Sequence, residues 1–126
     1  MKLFADSRNS RHAITACDTT SVSVDGRALR RSVLVFPDHL DEQWGPDDFA
    51  ALSSAHLAAL LPIPCDVLLL GTGNRQRFPA PALLRPLIEA GRPVEVMDTP
   101  AACRTYNILV AEGRMVAAAL IIESAA

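Results

Sequence analysis

The hydrophobic pattern of this chain changes rhythm at Pro62 and Pro64, and that change limits the fold more than any single motif. Beyond it, residues 67–70 form a continuous apolar run, 81–90 a helical pattern closed by Gly91, and 94–97 a second short strand. Residues 100–112 then read as a helix closed by Gly113, and 115–122 as a last apolar strand. Unbroken apolar runs of this length suit strands buried on both faces, and a glycine just past a helix supplies its left-handed cap. Strands joined through helices are parallel neighbours with right-handed crossovers, so a parallel βαβαβ second half is expected.

Before the prolines the pattern is strand-like. Residues 12–17, then Val22, Val24, Leu29, Val33 and Val35, mix alternation with β-branched side chains. Asp25-Gly26 has the positive-φ tolerance of a type I′ turn and should join a strand over 21–24 to one starting near Arg27. A more buried strand follows over 32–36, and 39–44 reads as an edge strand or an ordered loop. Gly45-Pro46-Asp47-Asp48 marks a helix start, continued by Phe49, Leu52, Leu57, Leu60 and Leu61, with Ser53-Ser54 as a point where it can divide. The pattern thus predicts an α/β fold with a central mixed sheet, antiparallel in its first half and parallel in its second, and helices on at least one face.

Length and composition bound the rest. A chain of 126 residues is the size of a single domain, here expected over 1–126, and half of its residues are apolar. Fourteen acidic residues against 12 basic ones leave a net charge of −2, which gives no general field for a nucleic acid backbone. Cys17, Cys65 and Cys103 are odd in number and widely spaced, which argues for a reducing compartment and against a zinc site. No run reaches the roughly 20 apolar residues of a membrane span. Asp6 interrupts the start before a secretory core can form, and Arg8 and Arg11 with Ser7 and Ser10 only faintly imitate a transit peptide. A cytoplasmic protein is expected.

Two strand-to-helix turns hold the residues with chemical character. The first, Gly71-Thr72-Gly73-Asn74-Arg75-Gln76-Arg77-Phe78-Pro79, leaves the carboxyl end of a buried strand, where open α/β sheets place ligands. Its glycines free backbone amides, and Arg75 and Arg77 are suited to a small anion; Gln76, where a dinucleotide fingerprint has glycine, argues against a Rossmann turn. A tight turn with solvated arginines is the competing structural reading. In the second, Asp98 or Thr99 can cap the helix that Pro100 opens, while Arg104, Tyr106 and Asn107 interrupt an otherwise small, apolar helix and cannot all face one way. Cys103 sits near the helix start beside Arg104, but a packed, inert thiol is the expectation. His12, His39 and His56 lie elsewhere, so there is no nucleophile with its base, no expected catalytic residue, and no metal or cofactor set.

Taken in order, Gly71-Thr72-Gly73 with Arg75 to Pro79, then Glu95-Val96-Met97-Asp98-Thr99, Ala101 to Leu109 and Glu112-Gly113-Arg114, resemble a particular family. It is the domain-of-unknown-function family that includes mitochondrial complex I assembly factor 3 and many uncharacterised bacterial and archaeal proteins. The resemblance runs over nearly the whole chain, with its specific motifs in 67–122. It implies a three-layer β/β/α fold around the central mixed sheet. It also implies a link to assembly of the NADH:ubiquinone oxidoreductase, with respiratory complex subunits or assembly proteins as partners.

Three functional readings follow. The leading one is a non-enzymatic binding or assembly protein that uses Gly71, Thr72, Gly73, Arg75, Arg77, Asp98, Thr99, Arg104, Tyr106 and Asn107 to contact a protein or a small anion. The second is an enzyme in which Asp98 acts as acid or base and Arg77 and Arg104 stabilise negative charge, in a pocket at the ends of strands 67–70 and 94–97. The third has these residues holding the two crossovers together, with the working surface elsewhere. An edge strand in the first third also offers pairing to a second copy of the chain.

Overall fold

The computed structural model describes residues 11–123, so the leader-like features at positions 6–10 lie outside the described residues. A small antiparallel sheet of β1 (Ile14–Cys17), β2 (Val22–Val24) and β3 (Arg27–Leu29) lies beside a five-stranded mixed sheet. The latter comprises β4 (Val33–Phe36), β5 (His39–Asp41), β6 (Val67–Gly71), β7 (Glu95–Met97) and β8 (Val116–Leu120), in the order β5-β4-β8-β6-β7. The helices are α1 (Ser54–Ala58), α2 (Pro81–Glu89) and α3 (Thr99–Ala111). Strands β4 and β5 pair antiparallel, as do β4 and β8, while β6 is parallel to both β7 and β8. The antiparallel-then-parallel sheet read from the sequence is therefore the one observed.

Period-2 alternation divides the large sheet between two cores. Val33, Val35, Leu69, Val116, Ala118 and Leu120 point to one side, where they meet Val22, Val24 and Leu29 of the small sheet and Ala102, Cys103 and Tyr106 of α3. Leu34, Phe36, Leu68, Leu70, Ala117 and Ala119 point to the other, against Leu57 of α1 and Leu87 of α2. Each of Leu68, Leu69 and Leu70 is at most 2% exposed, contributing about 1.5–3 kcal/mol relative to an exposed side chain.

The two-sided cover follows from the strand order. Passing from β6 out to β7, and then back beyond β6 to β8, reverses direction across the sheet, so two right-handed crossovers put α2 and α3 on opposite faces. The sequence pattern, which placed helices on at least one face, left the second face open.

Asp25 and Gly26 have φ of 53° and 86°, the two positive values of the I′ turn expected between β2 and β3. The helical stretch expected after Gly45 is broken in two: a 3₁₀ turn at Phe49–Ala51, then α1. Asp48 caps the first piece through Ala51 N, at 2.9 Å. Ser53 caps the second in a capping box whose return bond goes from Ser53 N to His56 Nδ1, at 3.0 Å. Each helical piece thus starts on its own capping side chain, and His56 completes the second cap.

Candidate functional site

Strand β6 ends at Gly71, where the start of α3 crosses too closely for a side chain. A Cβ there would sit 2.8 Å from Thr99 Oγ1 and 2.9 Å from Thr99 Cα. The chain then turns on Thr72, which is fully buried. Its amide donates to Met97 O at 2.9 Å, its hydroxyl donates to Arg75 O at 2.7 Å, and the same oxygen accepts from Arg77 N at 3.1 Å. Gly73 follows with φ of +100°, and Gln76 Nε2 donates to Val96 O at 3.1 Å, tying the turn to β7.

The second turn locks onto the first. Thr99 N donates to Gly73 O at 2.8 Å, and Gly73 N donates back to Thr99 Oγ1 at 2.9 Å. The Thr99 hydroxyl in turn donates to Ile121 O at 2.8 Å. Asp98 is the N-cap of α3, its carboxylate accepting from Ala101 N at 2.8 Å.

Arg77 crosses beneath the first turn. One guanidinium nitrogen donates to Thr72 O and to Glu123 Oε1, each at 2.7 Å, and the group stacks over Phe49 at 4.7 Å from the ring centroid. The other Glu123 oxygen accepts from Phe49 N at 2.9 Å. Partial burial pushes the Glu123 carboxyl up, but the Phe49 amide and the Arg77 guanidinium outweigh it and hold the group below the ordinary carboxylate range.

Further along α3, Tyr106 and Asn107 face the small sheet. The buried Tyr106 hydroxyl donates to His12 O at 2.9 Å. Asn107 holds both backbone groups of Ile14, accepting from its amide at 3.0 Å and donating to its carbonyl at 2.6 Å. Burial raises the Tyr106 phenol and the Cys103 thiol above their usual ranges, leaving both protonated at neutral pH. Arg104 lies on the exposed side of the same helix.

The ten residues singled out by sequence therefore divide. Gly71, Thr72, Gly73, Arg77, Asp98, Thr99, Tyr106 and Asn107 spend their polar groups or close backbone approach on holding β6, α3, the small sheet and residues 121–123 together. Arg75 and Arg104 are exposed. The two turns do meet, but the gap between them, bounded by Asn74, Thr99 and Glu123, measures about 10 Å³, room for about one water. Asp98 is occupied as a helix cap and Arg104 turns to solvent, an arrangement that gives an acid–base role for Asp98 no geometric support.

Sequence reasoning passed over Glu123, whose only signal was an acid ending an apolar strand, and Phe78, which is 71% exposed. A large aromatic between Arg77 and Pro79 in a polar turn was a visible cue. Among the described residues, no three His, Cys, Asp or Glu side chains gather as metal ligands would.

Residues 14–121 match the family described as a protein of unknown function (DUF498/DUF598). The chain belongs to that family. A DUF498/DUF598 fold accounts for the likeness to a crystal structure of a Bordetella parapertussis protein, with a TM-score of 0.82 and 35% identity over 90% of this chain and 98% of that one. The human NADH dehydrogenase (ubiquinone) 1 alpha subcomplex assembly factor 3 is 32% identical over 121 residues, 94% of this chain and 60% of that protein. A 13 kDa major membrane protein of Francisella tularensis is 35% identical over 75 residues, 60% of this chain and 61% of that protein. The matched parts thus span less than two-thirds of these relatives' lengths. Among the described residues of this DUF498/DUF598 chain, no helix is long and apolar enough to cross a membrane.

Proposed function

We propose that this chain is a non-enzymatic binding or assembly protein whose partner is another protein, docked at the exposed rim of the two crossover turns. The observation that carries the reading is Phe78, 71% exposed on a turn whose base is fixed by Thr72, Gln76 and Arg77. An exposed aromatic on a hydrogen-bonded turn suits a partner's apolar pocket, because the backbone that carries it loses little freedom when it docks. Arg75 beside it and Arg104 on α3 add exposed cations, which fit an acidic rim on the partner.

The partner class comes from the relatives: several are named as assembly factors of the NADH dehydrogenase alpha subcomplex, which favours a respiratory complex subunit or a companion assembly protein. The chain would act from the cytoplasmic side and reach the membrane through that partner.

The test is mild crosslinking in the native cell, followed by quantification of respiratory complex subunits captured by wild type, Phe78→Ala, Arg75→Ala and Arg104→Ala, each checked for unchanged folding. Capture of those subunits by wild type, reduced at least several-fold in Phe78→Ala, is the expected result. Equal recovery with all four proteins, or none with wild type, would remove the reading.

A further inference from the structure

Strand β1 contains an irregularity with a chemical outcome. Ile14 pairs with Val24, yet Ala16 pairs with Ser23 and Cys17 with Val22, so one extra residue is accommodated between positions 14 and 16. In a regular strand, positions 14 and 17 would point to opposite faces. The bulge cancels that half-period, and Cys17 comes out on the face of its partner Val22, which is the core face.

Helix α3 supplies the other half. Asn107 grips Ile14 through both backbone groups. Cys103 lies one helical turn earlier on the same side of α3, and Cys17 lies further along β1. The strand therefore carries Cys17 to Cys103: Cys17 packs against the core cluster that holds Cys103, and both side chains line one cleft. Both cysteines are reduced, Cys103 buried and Cys17 half-buried. A cleft of about 290 Å³ lined by Thr15, Ala16, Cys17, Pro100, Cys103 and Arg104 opens on the pair from solvent.

We propose that Cys17 and Cys103 are a reactive thiol pair that takes low-molecular-weight disulfides as substrate and closes to an intramolecular disulfide joining β1 to α3. Cys17, the more accessible thiol, loses its proton to solvent and attacks one sulfur of the small disulfide, expelling one thiolate and forming a mixed disulfide. Cys103 then loses its proton and attacks the Cys17 sulfur, expelling the second thiolate. The two protein thiols are oxidised by two electrons, and the small disulfide is reduced to two thiols.

Burial raises both cysteines, mainly through desolvation, while the Arg104 guanidinium at the cleft favours their thiolates. The exchange is therefore slow without an excess of disulfide. Once formed, the bond closes a loop of more than 80 residues, and the restriction such a link places on the unfolded chain grows with loop length.

The experiment uses folded wild type and Cys65→Ser, which removes the remaining cysteine, each incubated with excess glutathione disulfide in mildly alkaline buffer. The expected result is loss of both free thiols in Cys65→Ser, with an intact mass lower by two hydrogens. A proteolytic map should join the peptides holding positions 17 and 103, and the unfolding midpoint should rise by several degrees. The same linked peptides from wild type give the answer without relying on the variant. Glutathione retained on Cys17 with Cys103 still free, thiols that react only after denaturant is added, or a link to Cys65 in wild type would overturn the proposal.

Discussion

Thr99 and Gly73 hold each other in both directions: the threonine amide donates to the glycine carbonyl at 2.8 Å, and the glycine amide donates to the threonine hydroxyl at 2.9 Å. That reciprocal pair fastens the first turn of α3 to the end of β6. Because the same hydroxyl also donates to Ile121 O, Thr99 joins three segments through one oxygen.

Thr99→Val keeps the shape and removes that oxygen. The buried Gly73 amide and Ile121 carbonyl then lose their partners, and stability to urea should fall by on the order of 2–3 kcal/mol. Gly71→Ala should cost about 1–3 kcal/mol by a different route, since its Cβ would press on Thr99 Cα at 2.9 Å. Wild-type stability in either variant would show that the contacts are dispensable.

Glu123 provides a pH signature. Its folded-state pKa is held below the ordinary 4.5, so its contribution is present above that value and is lost as the pH falls through the folded-state pKa. Glu123→Gln should be less stable than wild type by about 1–2 kcal/mol at neutral pH, since the pair is only partly screened. The gap should narrow on acidification below 4.5. Parallel denaturation curves over that range would contradict the assignment.

Asn107→Ala leaves both backbone groups of Ile14 without their side-chain partner. A loss of about 1–3 kcal/mol is expected. Amide exchange should accelerate chiefly in β1 and β2, with β6 and β8 little changed, because the small sheet is what this residue moors.

Asp98 separates capping from chemistry. Asp98→Ala should cost about 1 kcal/mol through loss of the Ala101 N bond, whereas Asp98→Asn should cost only a few tenths because asparagine caps nearly as well. A turnover activity that vanished in Asp98→Asn while stability was kept would restore the acid–base reading.

Phe78→Ala should leave stability within about 0.5 kcal/mol of wild type, since the side chain is 71% exposed. Loss of partner capture against that unchanged stability is the outcome expected of a docking residue.

The fold was legible where local chemistry and the apolar period agreed. The buried run at Leu68 to Leu70, the Asp25-Gly26 turn and the glycines after α2 and α3 each carry their own physical reason, and the structure places elements accordingly. The candidate site was legible as a cluster but less so as a use. Thr72, Thr99, Tyr106 and Asn107 look like ligand-binding side chains in sequence, because polarity inside a helix or turn does not reveal whether the partner is a ligand or a distant backbone group. For Asn107 and Thr99 the partners, Ile14 and Ile121, are remote in sequence and carry no polar side chain to signal the contact. Glu123 was hidden for the same reason, since its partners Arg77 and Phe49 come from two other segments.

Strand β8 lies at the middle of the five-stranded sheet, between β4 and β6, although it comes last in sequence among the described strands. During synthesis its two neighbours are made well before the strand that joins them, and each must wait with an unpaired edge. The half-built chain therefore has two sticky flanks and no keystone, the condition in which a nascent sheet most readily pairs with the wrong neighbour. The three consecutive alanines Ala117, Ala118 and Ala119 suit this late arrival. A slim strand can slide between two faces already collapsing, where a row of bulky side chains would have to force them apart.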